Sequence, residues 1–170
     1  MTRITGPETR NATGGTFVWD GNYLPGPWLV ETALETAGER VASSGIVWGS
    51  VGRSHHIACL QAYLLEPVSK GYVCLILTSD PAVGTVAPFG GKTPVYTPNP
   101  VALGIPTGGD PILIDISTST TANGVVNLYR NRGEKLPGQW LLDKEGRPTD
   151  DPEALFTDPP GTVLPLGGYD

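Results

Sequence analysis

Two cysteines, two histidines and one methionine occur among 170 residues, and only 16% of the chain is charged. Each scarcity excludes something. Cys59 and Cys74 both sit in apolar stretches, the pattern of two buried free thiols in a reducing compartment rather than of a secreted disulfide scaffold. Lys and Arg number 11 against 17 Asp and Glu, a net charge of -6, and no basic cluster appears. A nucleic-acid backbone needs a basic face, so nucleic acid is excluded as a partner. The longest apolar run, Tyr72 to Leu77, is far too short to span a bilayer, so no membrane role is expected. Met1 to Gly15 is polar and has no apolar signal core. Asn11-Ala12-Thr13 fits a glycosylation acceptor, but without a secretion signal it is a chance match. The expectation is a soluble, cytoplasmic protein without an internal repeat.

What is present is a globular composition, 39% hydrophobic, carrying 23 glycines and 17 prolines. The length suits one domain with a real core. Much of the Gly and Pro lies between apolar runs, which predicts long ordered loops, and such loops often carry function. Residues 1–25 read as an arm and turns, and 26–170 as the folded domain.

Pro27 suits the first turn of a helix running to about Ser43, with Leu29, Val30, Ala33, Leu34, Ala37 and Val41 at helical spacing. Glu31, Glu35 and Glu39 form its solvated face. Ile46 to Trp48 reads as a short buried strand. Ser54 reads as the N-cap of a second helix with Ile57, Leu60, Tyr63 and Leu64 inward and Pro67 near its end. Tyr72 to Leu77, apolar throughout, reads as a central strand. Residues 79–100 hold five prolines and three glycines and predict no regular element. Val101 to Ile105 and Ile112 to Ile116 read as strands joined by a turn at Thr107-Gly108-Gly109-Asp110. A helix is expected from near Ser119 to near Gly133, then turns with a short helical piece at Pro152 to Phe156. The class is α/β, a mixed β-sheet with flanking helices.

Several short blocks carry chemistry. His55 and His56, just after the expected cap, are the only histidines. Histidine is the natural proton carrier near neutral pH, and a helix N-terminus favours its neutral form. On a helix the two side chains diverge by about 100°, so at most one faces a given site. The competing reading is a surface histidine beside a hydrogen-bonded core one, and the residues alone leave both open. A metal reading of His55 or His56 with Cys59 lacks the third and fourth ligands that zinc needs. Gly90-Gly91-Lys92-Thr93 ends like a phosphate loop, but Val86 stands where its first glycine belongs and Pro94 and Pro98 follow closely. It is a tight turn. Asp115 lies near a strand end, and Ser117, Thr118, Ser119, Thr120 and Thr121 follow at an expected helix start. Ordinary N-capping needs one hydroxyl, whereas five in a row favour contact with a pyrophosphate.

Taken in order, these blocks resemble the malate/L-lactate dehydrogenase family, which includes ureidoglycolate and 2,3-diketogulonate oxidoreductases. Ser54-His55-His56 resembles its Ser-Asn-His-Phe-Gly block, and Ala87 to Gly91 is identical to its Ala-Pro-Phe-Gly-Gly. Asp115 to Ser119 resembles its Asp-Met-Ala-Thr-Ser, and Asp143 to Pro152 repeats its Asp-x-x-Gly-x-Pro-Thr-x-Asp-Pro. Pro137-Gly138-Gln139-Trp140 varies its Pro-x-Gly-Trp, and Leu164 to Gly168 matches its next block.

The resemblance implies a nicotinamide-dinucleotide-binding fold that uses NAD or NADP without the Gly-rich Rossmann fingerprint. It implies hydride transfer between a small 2-hydroxy acid and the 2-oxo acid. His56 falls on the family histidine assigned as proton acceptor. Ser79 and Asp80 fall in the cofactor-contacting loop, and Asp115, Ile116, Ser117, Thr118 and Ser119 on the stretch that touches the dinucleotide. No metal is implied, and family members are homodimers.

The chain also departs from the pattern. Thr97-Pro98-Asn99-Pro100 stands for Gly-Thr-Asn-Pro, Ile57-Ala58 for Phe-Gly, and Asp170 for a cofactor-binding lysine. The chain covers the central portion of the family polypeptide, without its N-terminal helical and C-terminal segments. The alternative to an active oxidoreductase is therefore a truncated, non-catalytic dinucleotide-binding module.

Overall fold

In the computed structural model, which describes residues 6–168, the contacts divide the chain into two compact units. Among the described residues one comprises 6–74 with 103–113, the other 75–102 with 114–168. The first opens with a hairpin, β1 (Glu8–Ala12) antiparallel to β2 (Thr16–Asp20), inside the stretch read as an arm. The signal was present. Thr16-Phe17-Val18-Trp19 is β-rich and bounded by Gly14-Gly15 and Gly21, with Phe17 and Trp19 buried and Val18 outward. Polar, fully exposed β1 has no pattern of its own and is ordered by pairing with β2.

Helix α1 (Gly26–Ser44) forms where expected, with Pro27 in its first turn. Of its apolar stripe Leu29 is buried and Val30, Ala33, Leu34, Ala37 and Val41 are half-buried, while Glu31, Glu35 and Glu39 stay exposed and Gly45, at positive φ, ends the helix. The helix leads into β3 (Trp48–Gly52), which pairs parallel with β2, Thr16 opposite Trp48 and Asp20 opposite Gly52. The strand thus begins where a buried Ile46–Trp48 strand was expected to end, and Ile46 is 80% exposed. Register against β2, not local hydrophobicity, decides the placement. Phe17 packs on Trp19, and a side chain at Gly49 would strike the Phe17 ring.

No helix starts at Ser54. Residues 54–59 are irregular, a 3₁₀ turn covers Leu60–Tyr63, and α2 spans only Leu65–Ser69. Positive φ at Arg53 (53°) and Ala58 (59°) is incompatible with a helix there, and the Ser54 hydroxyl donates to the His55 carbonyl instead of capping. Leu60, Tyr63 and Leu64 are nonetheless buried as expected, Ile57 only half so, and Val68 is buried with them.

Strands β4 (Cys74–Leu77), β5 (Val101–Ile105) and β6 (Ile112–Ile116) form a sheet in that order. The β5 and β6 bounds match the sequence reading, but β4 is an edge strand, not a central one. Leu75 and Leu77 are 50% and 52% exposed. Cys74 is buried, whereas Cys59 is exposed, so the expectation of two buried thiols holds for one.

The second unit packs Val86, Val126, Leu136, Leu141, Ala154 and Val163 into one core beneath α3 (Asn123–Arg132). Short strands β7 (Leu141–Leu142), β8 (Pro148–Thr149) and β9 (Thr162–Val163) form a sheet with β7 in the middle. The 3₁₀ turn at Pro152–Phe156 lies where predicted, its first amide held by the Asp151 carboxylate. The fold is mixed α/β, with its strands in three small sheets among the described residues rather than in one. No described helix is long and apolar enough to cross a membrane.

Candidate functional site

His56 occupies an exposed, irregular segment rather than a helix N-terminus, so the helix-dipole argument for its neutral form does not apply. The backbone around it is nevertheless tightly held. The His55 amide donates to the Leu24 carbonyl, and the Tyr23 amide to that of Arg53. A Cβ at Gly26 would run into the carbonyl oxygens of both histidines, so glycine lets the start of α1 lie against them. At the head of the segment, the Arg53 guanidinium binds the Asp20 carboxylate at 3.0 Å, which also takes Arg10 at 2.7 Å. Asp20 is buried, and the Arg10 hydrogen bond, then the Asn22 amide, hold its carboxyl below the ordinary range against the opposing effect of burial.

The His56 ring accepts a hydrogen bond at Nδ1 from the Ala58 amide, 3.1 Å away. A neutral ring so engaged carries its proton on Nε2 and presents an N–H outward. In that tautomer the remaining ring nitrogen is an N–H donor. Ala58 achieves this bond from a left-handed φ of 59°, at the position where the family pattern has glycine. His55 is also exposed and lies near the Tyr23 ring, centroids 6.1 Å apart.

The other candidates lie in the second unit at one end of the β4–β5–β6 sheet. The Thr78 amide, leaving β4, donates to the Pro100 carbonyl; the Thr118 amide and hydroxyl, leaving β6, both donate to that of Pro98. The exits of β4 and β6 thereby flank the start of β5. This brings the loop holding Ser79 and Asp80 and the stretch Asp115 to Ser119 to the same end of the sheet. Asp80 accepts from the Ala82 amide and shapes that loop; Asp115 and Ile116 are exposed.

Helix α3 starts four residues later than the end of that stretch, at Asn123, with Ala122 as an N-cap lacking a side-chain bond. The five hydroxyls therefore do not crown a helix N-terminus. Thr118 donates to Pro98, Ser119 to Thr121 and Thr120 to Pro165, all main-chain carbonyls. Three of the five staple a bend, a use that sequence cannot separate from phosphate binding because the acceptors are remote backbone atoms. Above the bend lies an open pocket of about 410 Å³. Ile116, Val125, Trp140 and Leu166 give it apolar walls, and Ser117, Ser119 and Thr121 line it as well. Trp140 and Leu166 were not among the expected site residues, although both belong to blocks that carried the resemblance. Among the described residues no group of three or more His, Cys, Asp or Glu could hold a metal ion.

The profile of the malate/L-lactate dehydrogenase family matches residues 1–170. The chain is 39% identical over 139 residues to (2R)-3-sulfolactate dehydrogenase (NADP(+)) of Chromohalobacter salexigens, covering 81% of this chain and 39% of that protein. It is 34% identical over 150 residues to malate dehydrogenase of Pyrococcus abyssi, covering 88% and 40%. The crystal structure of malate dehydrogenase from Entamoeba histolytica superposes with a TM-score of 0.88 at 27% identity, over 100% of this chain and 48% of that one. The chain thus spans less than half the length of these relatives. It belongs to the malate/L-lactate dehydrogenase family.

Proposed function

We propose that the chain is the dinucleotide-binding portion of an NAD- or NADP-dependent oxidoreductase of small 2-hydroxy acids, acting in the cytoplasm as a homodimer. One observation carries this reading: the exits of β4 and β6 converge on the start of β5 beside an open pocket with apolar walls. Its volume, about 410 Å³, and its Trp140, Ile116 and Val125 walls suit a planar heteroaromatic ring, and its hydroxyls suit a sugar. In this reading Ser79, Asp80, Asp115, Ile116, Ser117, Thr118 and Ser119 hold the dinucleotide, in part through main-chain groups, because three of the neighbouring hydroxyls are already engaged. The relatives named for sulfolactate and malate suggest a 2-hydroxy acid with a second acidic group.

When bound, the dinucleotide supplies a hydride to C2 of the 2-oxo acid. The oxo oxygen then needs a proton. We assign that step to His56, because an imidazole whose Nδ1 is engaged has an Nε2–H able to polarise a carbonyl and pass it a proton as negative charge develops. The ring is exposed, so solvent restores the proton.

Calorimetric titration with NADH and NADPH tests the dinucleotide reading, and undetectable binding at millimolar cofactor overturns it. Assays with malate, lactate and sulfolactate test the chemistry. Binding without turnover identifies a non-catalytic module. If turnover is found, His56→Ala should lower kcat by about two to four orders of magnitude with cofactor affinity nearly unchanged. His55→Ala is the control, and equal damage from it would refute the assignment.

A further inference from the structure

We infer that the open pocket of the second unit receives the adenine end of the dinucleotide, with the Trp140 ring stacked on the base and the Thr121 hydroxyl bonded to one of its nitrogens. The inference rests on the dinucleotide reading above and decides which end of the cofactor the pocket takes.

The first observation is what the walls lack. None of the residues lining the pocket has an ionisable side chain. The nicotinamide end must lie against the carbon that takes the hydride. A proton donor for the oxo oxygen and a counter-charge for the substrate carboxylate must be within reach there. Neutral walls supply neither. Adenine is uncharged near neutral pH and needs only an apolar slot with a few hydrogen-bonding groups.

The second is the setting of Trp140. Its ring packs against the core of the unit, and a Cβ at Gly138 would come within 2.7 Å of its Nε1. The indole therefore lies close over a glycine and is held from behind. A ring so fixed loses little freedom when a base stacks on it.

The third is Thr121, which lines the pocket and is only 7% exposed. Its neighbours Ser119 and Thr120 spend their hydroxyls on the Thr121 and Pro165 carbonyls. The Thr121 hydroxyl enters no hydrogen bond among the described residues, yet it keeps accessible surface, unlike the sealed oxygens of Thr85 and Asn123. Polar groups this deep are normally partnered, so a reachable hydroxyl without a partner marks a place for a ligand atom. A hydroxyl both donates and accepts, which suits the ring nitrogens and the amino group of adenine.

The competing explanation is that Trp140 only closes the core and Thr121 only fills space. Calorimetry and thermal melting on the full chain, with NADH, adenosine monophosphate and nicotinamide mononucleotide as probes, separate the two. Adenosine monophosphate should compete with NADH and quench tryptophan emission. Trp140→Phe should abolish the quenching, since Trp19, Trp28 and Trp48 all belong to the first unit. Thr121→Val should weaken the Kd of adenosine monophosphate and of NADH roughly tenfold, the worth of one good hydrogen bond, and leave nicotinamide mononucleotide unaffected. Its Tm should be unchanged, because no protein group uses the hydroxyl; a lowered Tm would mark the hydroxyl as structural and count against the inference. Weakening confined to nicotinamide mononucleotide would put the other end of the cofactor here and overturn it. NADH bound by both variants as by wild type would overturn it too and leave the dinucleotide reading intact. No binding by the wild-type chain overturns both.

Discussion

At Ala58 a single methyl group strains the backbone that donates to the His56 ring. Its amide orients the His56 ring, yet its φ of 59° is unfavourable for any residue with a Cβ. Glycine would relieve that strain, worth about 1–2 kcal/mol, and add freedom to the unfolded chain, which costs about 0.4–1 kcal/mol. Relief is the larger, so Ala58→Gly should stabilise by about 0.5–1 kcal/mol in urea unfolding. A loss of stability would show that the loop, and not the residue, holds the φ. The family pattern has glycine here, so the strain was legible once the blocks were aligned.

Asp20 supplies the pH dependence at the same scale. Hydrogen bonds from Arg10 and the Asn22 amide lower its pKa on folding. A lowered folded value means that this contribution is complete above the unfolded value of about 4 and is lost as pH falls through the folded one. Asp143 and Asp151 are lowered too, chiefly by the Arg147 amide and the Lys135 ammonium respectively, and share that acid limb. Asp20→Asn should therefore shrink, without abolishing, the stability lost below about pH 4. An acid limb identical to wild type would mean that Asp20 is bound no more tightly than a surface carboxylate. No pattern in the sequence pairs Asp20 with Arg10 and Arg53, because the hairpin and the parallel β2–β3 register create the meeting.

Among the elements, α1, β5, β6 and the Pro152–Phe156 turn follow the sequence reading closely because local signals define them: Pro27, alternating β-rich runs, and an Asp-Pro cap. The segment 54–64 does not. Its apolar spacing imitates a helix, but Arg53 and Ala58 turn left-handed and Gly26 brings α1 against it. Intrinsic propensity favours alanine over glycine in α1 by about 1 kcal/mol, whereas the His55 and His56 carbonyls leave a side chain no room. Steric conflict decides the sign. Gly26→Ala should destabilise by about 1–3 kcal/mol in urea unfolding and shift the histidine ring resonances. Stabilisation instead would show that α1 slides away at no cost.

For the whole molecule, large apolar side chains remain uncovered, among them Ile46, Trp48, Val73, Phe89 and Val95. A contiguous exposed apolar patch marks an interface whereas single exposed residues are ordinary, so the oligomeric state tests whether these side chains meet a second copy. Sedimentation equilibrium at micromolar concentration should therefore report a dimer. A monomer that also fails to enhance the fluorescence of an apolar dye would count against the homodimer.

The sequence by itself determined the class, the family and the elements whose signals lie within a few residues, because periodicity, proline and glycine act locally. It also marked the stretches around His56, Ser79 and Asp115. Tertiary structure alone decided which atoms of those stretches are already used. Nδ1 of His56 is taken by Ala58, and the hydroxyls of Thr118, Ser119 and Thr120 by main-chain carbonyls. Hydrogen-bond partners such as Pro165 for Thr120 lie 45 residues apart, and only the folded chain brings them within 2.7 Å.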